Sequence, residues 1–165
     1  MAQHQSLANI EAIVYDCDGV LTDNRVLVDE DGKEYASFSR ADGFAISRIS
    51  EMGVKQVVIS TESNPIVLRR CRKLKLEVYN DVSDKMTMLE RYCRDKDVAL
   101  KRVMYLGNDL NDIECMRAVG LCGCPSDAEI EIRVISDWIS SRKGGEGVVR
   151  ELYRDLCESR GIGCQ

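Results

Sequence analysis

The stretch AIVYDCDGVLTD, residues 12–23, decides the fold. Four apolar residues, Ala12 to Tyr15, run directly into Asp16-Cys17-Asp18-Gly19, a pattern typical of a short buried strand that ends in a turn. Acids after a strand often serve as turn or cap residues, and this pair taken alone fits that structural role as well as a chemical one. The residues at the other strand ends decide between the structural role and the chemical role.

Strand-like and helix-like segments alternate along the rest of the chain. The further strand-like segments are residues 54–60, 77–79, 102–107, 121–124 and 137–140, and the helix-like segments are residues 43–52, 63–73, 84–96, 111–119, 129–134 and 147–160. Phe44, Ile49 and Met52 belong to the apolar stripe of the first helix. Residues 25–39 alternate around an Asp31-Gly32 step that suits a hairpin turn. The pattern predicts a Rossmann-like three-layer α/β sandwich with a parallel central sheet and a protruding β-hairpin, formed by residues 1–165 as a single domain.

In such a sheet, ligands bind at the carboxyl ends of the strands. The polar residues at those ends are Asp16 and Asp18 after the first strand, Ser60 after the second, and Asn108, Asp109 and Asp112 after the third, while Lys85 begins an intervening helix. Carboxylates this close repel each other unless a divalent cation neutralises them, and hard oxygen ligands favour Mg²⁺. Lys85 and Ser60 would add a positive charge and a hydroxyl donor for an anion on that metal. This is the equipment for phosphoryl transfer.

Four segments, DCDGVLT, VVIST, SDK and LGNDLND, resemble the four motifs of the haloacid dehalogenase superfamily in order and in context. The resemblance implies that Asp16 is the nucleophile, forming an aspartyl-phosphate, and that Asp18 is the general acid and base. It implies that Ser60 and Lys85 hold the phosphoryl oxygens. The expected Mg²⁺ ligands are Asp16, the backbone carbonyl of Asp18 and the first polar residue after Gly107.

The fourth motif departs from the family pattern, because most relatives have Asp where this chain has Asn108. An amide oxygen can ligate Mg²⁺ but carries no charge, so we expect weaker metal binding. Either Asn108 ligates directly while Asp109 and Asp112 hold metal-bound waters, or Asp109 takes its place. We favour the first arrangement.

No helical cap domain fits between the motifs, since residues 18–43 leave room for a hairpin and residues 60–85 for one helix. The hairpin, residues 25–39, and the C-terminal segment RKGGEGVVRELYRDL, within residues 142–165, resemble those of the capless, tetrameric 3-deoxy-octulosonate 8-phosphate phosphatase branch. This resemblance implies a homotetramer with an oligomerisation hairpin and a glycine-rich tail that reaches an adjacent active site.

The expected substrate is a small sugar-acid phosphate, and the residues after the second motif separate the alternatives. Octulosonate phosphatases read TGR there, whereas this chain reads Ser60-Thr61-Glu62, which resembles phosphatases of nine-carbon sialic-type sugars and the C-terminal domain of animal CMP-sialate synthetases. The substrate-binding candidates are Thr61, Glu62, Arg70, Lys73, Arg142 and Arg150. A nonulosonate 9-phosphate is our first choice and octulosonate 8-phosphate the second. A non-catalytic oligomerisation domain is the third, since the asparagine in the fourth motif weakens the metal site.

Composition excludes several other classes of protein. The chain has 165 residues, 44% of them hydrophobic, and a formal net charge of -5, which disfavours a nucleic-acid partner. No apolar run approaches the ~20 residues of a membrane span, and the N-terminus does not resemble a signal peptide, so we expect a cytoplasmic protein without a membrane partner. Eight cysteines without zinc-like spacing indicate reduced, mostly buried thiols, and the single histidine, His4, leaves no room for histidine-based catalysis.

Overall fold

The computed structural model describes residues 7–164, and its centre is a parallel six-stranded sheet. The strands of this sheet are β1 (Ala12–Tyr15), β4 (Lys55–Ile59), β5 (Glu77–Tyr79), β6 (Val103–Leu106), β7 (Leu121–Cys124) and β8 (Trp138–Ile139). Their order is β5-β4-β1-β6-β7-β8. The chain therefore leaves β1 for one side of the sheet and later returns to the other side, which places the topological switch point at the carboxyl end of β1.

Helices cover both faces of the sheet. They are α1 (Arg40–Glu51), α2 (Pro65–Leu74), α3 (Lys85–Asp95), α4 (Ile113–Ala118), α5 (Ile130–Ile135) and α6 (Val148–Ser159), with 3₁₀ turns at Leu100–Arg102 and Leu110–Asp112. Ile13 and Tyr15 pack with α1, α2 and α6 in one buried cluster, whereas Ala12 and Val14 pack with α3, α4 and α5 in the other. Alternate residues of β1 thus serve opposite layers, as expected for a central strand buried on both faces.

The hairpin is the one pair of strands outside this sheet among residues 7–164. Strand β2 (Leu27–Val28) pairs with β3 (Glu34–Tyr35) in antiparallel fashion, and Gly32 turns between them with φ of +78°. Leu27 at the base of the turn is 72% exposed. In the described part of the chain, the connection from Ser60 to Lys85 contains only α2 and β5, so there is no cap domain there.

The predicted fold class is confirmed, with one error in the first helix. Ser39 caps α1 by accepting hydrogen bonds from two backbone N–H groups, so the helix begins three residues before the predicted Gly43. Phe44 was predicted to face the core, but it is 41% exposed, and its ring lies 4.4 Å below the Arg150 guanidinium. The buried face of α1 consists of Asp42, Ala45, Ile46 and Ile49.

The other compositional predictions can be placed in part. All eight cysteines are free thiols, and all but Cys164 are buried, as predicted. His4 lies outside the described residues. Among residues 7–164, no helix combines the length and apolar character needed to cross a membrane.

Candidate active site at the carboxyl edge of the sheet

The nucleophile candidate Asp16 stands at the switch point of the sheet. Its backbone N–H donates to the carbonyl of Leu106 at 2.8 Å, which extends the pairing of β1 with β6 by one residue. The register also aligns Tyr15 with Val58 of β4, so Ser60 after β4 lies along the same edge. The local sequence therefore determines where each strand ends, and the pairing of the strands brings the first, second and fourth motifs together at the carboxyl edge of the sheet.

Lys85 joins the first and fourth motifs through two buried ion pairs. Its Nζ lies 2.8 Å from Asp16 Oδ1 and 2.7 Å from Asp112 Oδ1. Asp84 caps α3 by accepting from the N–H of Thr87, so the lysine occupies the first position of the helix. The three side chains are almost completely shielded from solvent, which makes their charges interact strongly.

Protonation in this group depends on opposing effects. Burial raises the pKa of Asp16 and the Asp112 carboxylate raises it further, while Lys85 and the N–H of Cys17 lower it. Burial alone would lower the pKa of Lys85, but the two carboxylates outweigh it and raise that pKa. The ammonium is therefore charged at neutral pH, whereas the pKa of Asp16 stays raised to about 7, and a metal cation beside Asp16 would favour its ionised, nucleophilic form.

Asp112 is fully buried, and its two carboxylate oxygens together accept hydrogen bonds from four donors. Oδ1 accepts from Lys85 Nζ and from the Tyr105 hydroxyl at 2.8 Å, and Oδ2 accepts from the backbone N–H groups of Asn108 at 3.0 Å and Asp109 at 3.4 Å. Tyr105 was not among the site residues predicted from the sequence. A tyrosine within the apolar run VMYL gives no signal of a functional position.

The acid–base candidate Asp18 lies beside the nucleophile in a half-buried position. Burial raises its pKa, the Glu62 carboxylate adds to the increase, and a hydrogen bond from Thr22 opposes it. The Thr22 hydroxyl is 3.4 Å from Asp18 Oδ1. A raised pKa keeps a larger share of the carboxyl protonated, as a general acid requires.

Ser60 and the segment after it form the second wall of the site. The Ser60 side chain is buried, and its Oγ accepts from the N–H of Glu62 at 3.1 Å, which leaves the hydroxyl proton free to donate. The side chain of Glu62 accepts from the N–H of Asn64, and Asn64 Nδ2 donates to Glu34 of the hairpin at 2.7 Å. A cavity of about 650 Å³, lined in part by Thr61 and Lys85, adjoins this wall.

The residues present fit a hard divalent cation. Asn108 Oδ1 is buried and has no hydrogen-bond partner among the described residues, whereas Asp109 Oδ1 accepts from the N–H of Leu110. A Cβ built on Gly19, at φ of +92°, would lie 2.0 Å from Asn108 Nδ2, so the amide packs directly on the turn of the first motif. Within residues 7–164, no group of three His, Cys, Asp or Glu side chains could hold a metal ion. The fit therefore depends on one amide oxygen, one carboxylate and backbone carbonyl oxygen.

Within residues 7–164, no hydrogen bond or ion pair joins the four basic substrate-binding candidates to Asp16. Arg70 donates through Nη2 to the carbonyl of Ser39, and Lys73 is exposed in the last turn of α2, at the far end from the site. Arg142 and Arg150 line a separate cleft of about 350 Å³ together with Arg154.

The glycine-rich run beside that cleft packs against the first motif of its own chain. A Cβ on Gly144 would lie 2.0 Å from the carbonyl oxygen of Gly19, and the N–H of Gly145 donates to the carbonyl of Val20.

Comparison with known proteins identifies the family. A model of the haloacid dehalogenase-like hydrolases matches residues 60–152, which include Ser60, Lys85 and the segment from Asn108 to Asp112. The chain belongs to the haloacid dehalogenase-like hydrolase family. The predicted resemblance is therefore confirmed, and the chain is a phosphoric monoester hydrolase of this family.

Two curated relatives cover most of the chain. The 3-deoxy-D-manno-octulosonate 8-phosphate phosphatase KdsC of Haemophilus influenzae is 28% identical over 158 residues, which is 95% of this chain and 88% of that protein. N-acylneuraminate cytidylyltransferase A of Danio rerio is 27% identical over 149 residues, which is 89% of this chain but 35% of that protein.

A solved structure shows the same fold with ligands. The 3-deoxy-D-manno-octulosonate 8-phosphate phosphatase of Moraxella catarrhalis, in complex with a magnesium ion, a phosphate ion and KDO, superposes with a TM-score of 0.92 at 25% identity. The match covers 97% of this chain and 92% of that one.

Proposed function

We propose that this protein hydrolyses a sugar-acid phosphate monoester in a Mg²⁺-dependent reaction with an aspartyl-phosphate intermediate on Asp16. The observation that carries the proposal is the buried ammonium of Lys85, held between Asp16 and Asp112 at the switch point of the sheet. A fixed positive charge beside a carboxylate nucleophile is suited to a phosphoryl group, which brings negative charge to the site.

Asp16, the backbone carbonyl of Asp18 and Asn108 would hold the metal directly. The unpartnered amide oxygen of Asn108 supports this choice over Asp109, whose carboxylate caps the following turn. Asp112 then contributes by orienting Lys85, because its oxygens are already engaged. When bound, Mg²⁺ would neutralise charge on the phosphoryl oxygens and hold them near Asp16.

Asp16 attacks phosphorus, so that a P–O bond to its carboxylate forms as the P–O bond to the sugar breaks. Asp18 gives its proton to the departing sugar oxygen, which leaves as a hydroxyl group. Asp18 then accepts a proton from the water that attacks the acyl phosphate, and inorganic phosphate departs while Asp16 regains its carboxylate. Lys85 and Ser60 hold the phosphoryl oxygens through both steps.

A nonulosonate 9-phosphate is the proposed substrate, with Thr61 and Glu62 at the sugar hydroxyl groups. Glu62 supports it, since its charge acts on Asp18 and therefore lies near the site, and so does the similarity to an N-acylneuraminate cytidylyltransferase. The similarity to an octulosonate 8-phosphate phosphatase over 95% of the chain favours the second candidate.

We propose that the basic candidates meet the sugar carboxylate from another subunit. Arg70, Lys73, Arg142 and Arg150 make no hydrogen bond or ion pair with Asp16 of their own chain among the described residues, and the exposed hairpin would assemble the subunits as a homotetramer. Arg142, Arg150 and Arg154 form no ion pair among the described residues, which favours a role in binding a carboxylate, although Glu146 lines the same cleft and the Arg150 guanidinium stacks on the Phe44 ring.

The test is phosphate release from nonulosonate 9-phosphates and octulosonate 8-phosphate with Mg²⁺, beside Asp16→Asn as a control. We expect the nonulosonates to be preferred and the control, which keeps the side-chain volume, to be inactive but folded. A clear preference for the octulosonate would transfer the assignment to the second candidate. A folded tetramer without turnover of any phosphate ester would favour the non-catalytic domain.

A further inference from the structure

A buried hydroxyl lies behind the proposed phosphoryl site. Tyr105 is the third residue of β6, and its side chain is fully buried between the sheet and helices α3 and α4. Its hydroxyl donates to Asp112 Oδ1 at 2.8 Å. The Cys115 thiol is also a neighbour of the hydroxyl. Burial raises the pKa of Tyr105 well above its ordinary value, so the hydroxyl remains a donor at neutral pH.

The hydroxyl shares its acceptor with the ammonium of Lys85. Both donate to Asp112 Oδ1, while Oδ2 is held by the backbone N–H groups of Asn108 and Asp109. Backbone donors hold one end of the carboxylate, and Tyr105 is the second side chain at the other end. Without it, the carboxylate would interact with Lys85 alone at Oδ1 and would be free to rotate toward it.

Such a rotation changes the distances from the Lys85 ammonium to its two partners, Asp16 and Asp112. The ammonium lies 2.7 Å from Asp112 and 2.8 Å from Asp16, a nearly even division that leaves it directed at the nucleophile. A stronger pull from Asp112 would draw the ammonium away from Asp16 and from any phosphoryl group bound there. Because Lys85 would act on the phosphoryl oxygens, a small displacement matters for the rate.

We propose that Tyr105 is a positioning residue for phosphoryl transfer, which fixes the Asp112 carboxylate and, through it, the ammonium of Lys85. This inference rests on the proposed function of Lys85.

The chain offers a matched control in Tyr15. That tyrosine is also fully buried, lies on the neighbouring strand β1 and directly precedes Asp16, but its hydroxyl donates to Gln56 Oε1 at 2.7 Å on the opposite face of the sheet. Tyr105→Phe and Tyr15→Phe each remove one oxygen and one buried hydrogen bond. Any loss that comes only from weakened packing would appear in both.

The experiment measures kcat and KM of both variants on the best substrate of the panel, together with the Kd for inorganic phosphate in the presence of Mg²⁺. We expect kcat of Tyr105→Phe to fall on the order of tenfold and phosphate binding to weaken, while Tyr15→Phe stays close to the wild type. In an Asp112→Asn background, Tyr105→Phe should have little further effect, because its route to Lys85 has already been removed.

Equal activity in the two phenylalanine variants, with unchanged phosphate affinity, would overturn the inference. So would losses from Tyr105→Phe and Asp112→Asn that simply add. If Asp112→Asn does not fold, the comparison of Tyr105→Phe with Tyr15→Phe still decides. A wild-type protein without turnover would instead refute the proposed function, and the role of Tyr105 with it.

Discussion

Removing the charge of Lys85 should destabilise the fold as well as abolish turnover. In Lys85→Met, Asp16 and Asp112 would remain in a nearly solvent-free site without their shared counter-charge. Breaking a buried pair from one side typically costs about 3 to 5 kcal/mol, a large share of the roughly 5 to 15 kcal/mol that stabilises a domain. We expect a loss in this range at about pH 7, measured by urea unfolding without added metal.

The loss should depend on pH, because burial already raises the pKa of Asp16 and the lysine that opposes this increase would be gone. A carboxylate with a folded-state pKa above its unfolded value binds more protons when folded, so stability rises as the pH falls. The difference between Lys85→Met and the wild type should therefore shrink toward about pH 5.

Lys96→Met is the matched control. Its ammonium pairs with Glu77 at 2.7 Å, but both side chains are 36% exposed, so its removal should change the unfolding free energy by no more than about 1 kcal/mol. Equal losses of unfolding free energy in the two methionine variants would refute the argument that repulsion between the buried carboxylates Asp16 and Asp112 causes the loss in Lys85→Met. A loss in Lys85→Met that does not change with pH would refute it as well.

Three further predictions concern the turn of the first motif, its metal site and a buried acid. Gly19→Ala should destabilise the fold by about 1 to 3 kcal/mol and weaken the binding of Mg²⁺, because the backbone of Gly19 is left-handed and a Cβ there would displace the Asn108 amide. An unchanged free energy of unfolding in urea would contradict this. Asn108→Asp should lower the Mg²⁺ concentration for half-maximal activity on the order of tenfold by adding a charged ligand, and an unchanged value would count against direct ligation. Burial raises the pKa of Asp42 to about 6, so the folded state holds this proton more tightly than the unfolded state does. As the pH rises from about 4 to about 7, the wild type should therefore lose up to about 3 kcal/mol of stability relative to Asp42→Asn. Parallel plots of unfolding free energy against pH for the two proteins would disprove this.

The sequence predicted the sheet closely because its central strands consist of uninterrupted apolar runs. Residues 12–15 and 77–79 match β1 and β5, and Pro65 marks the start of α2 as expected. The start of α1 was missed because Ser39 caps the helix four residues before the predicted start at Gly43. Phe44 was misplaced because its ring stacks under the Arg150 guanidinium at the surface, where a cation–π contact stabilises an aromatic side chain that remains 41% exposed.

The site was only partly predictable for a different reason. Asp16, Lys85 and Asp112 could be grouped because each stands at an end of a strand or helix, where chain topology brings distant segments together. The parts played by Tyr105 and Asn64 depend on side-chain distances between elements far apart in sequence, which no local pattern encodes. The locations of Arg142 and Arg150 could not be foreseen either, because they depend on how α6 packs against α1.

Trapping the phosphorylated enzyme tests most directly whether Asp16 is the nucleophile. Rapid mixing with substrate and Mg²⁺, acid quenching and borohydride reduction would convert an acyl phosphate on an aspartate to homoserine, which peptide mass spectrometry can locate. We expect homoserine at position 16 in the wild type and none in Asp16→Asn. Turnover without homoserine at position 16, or with the modification at Asp18, would contradict it.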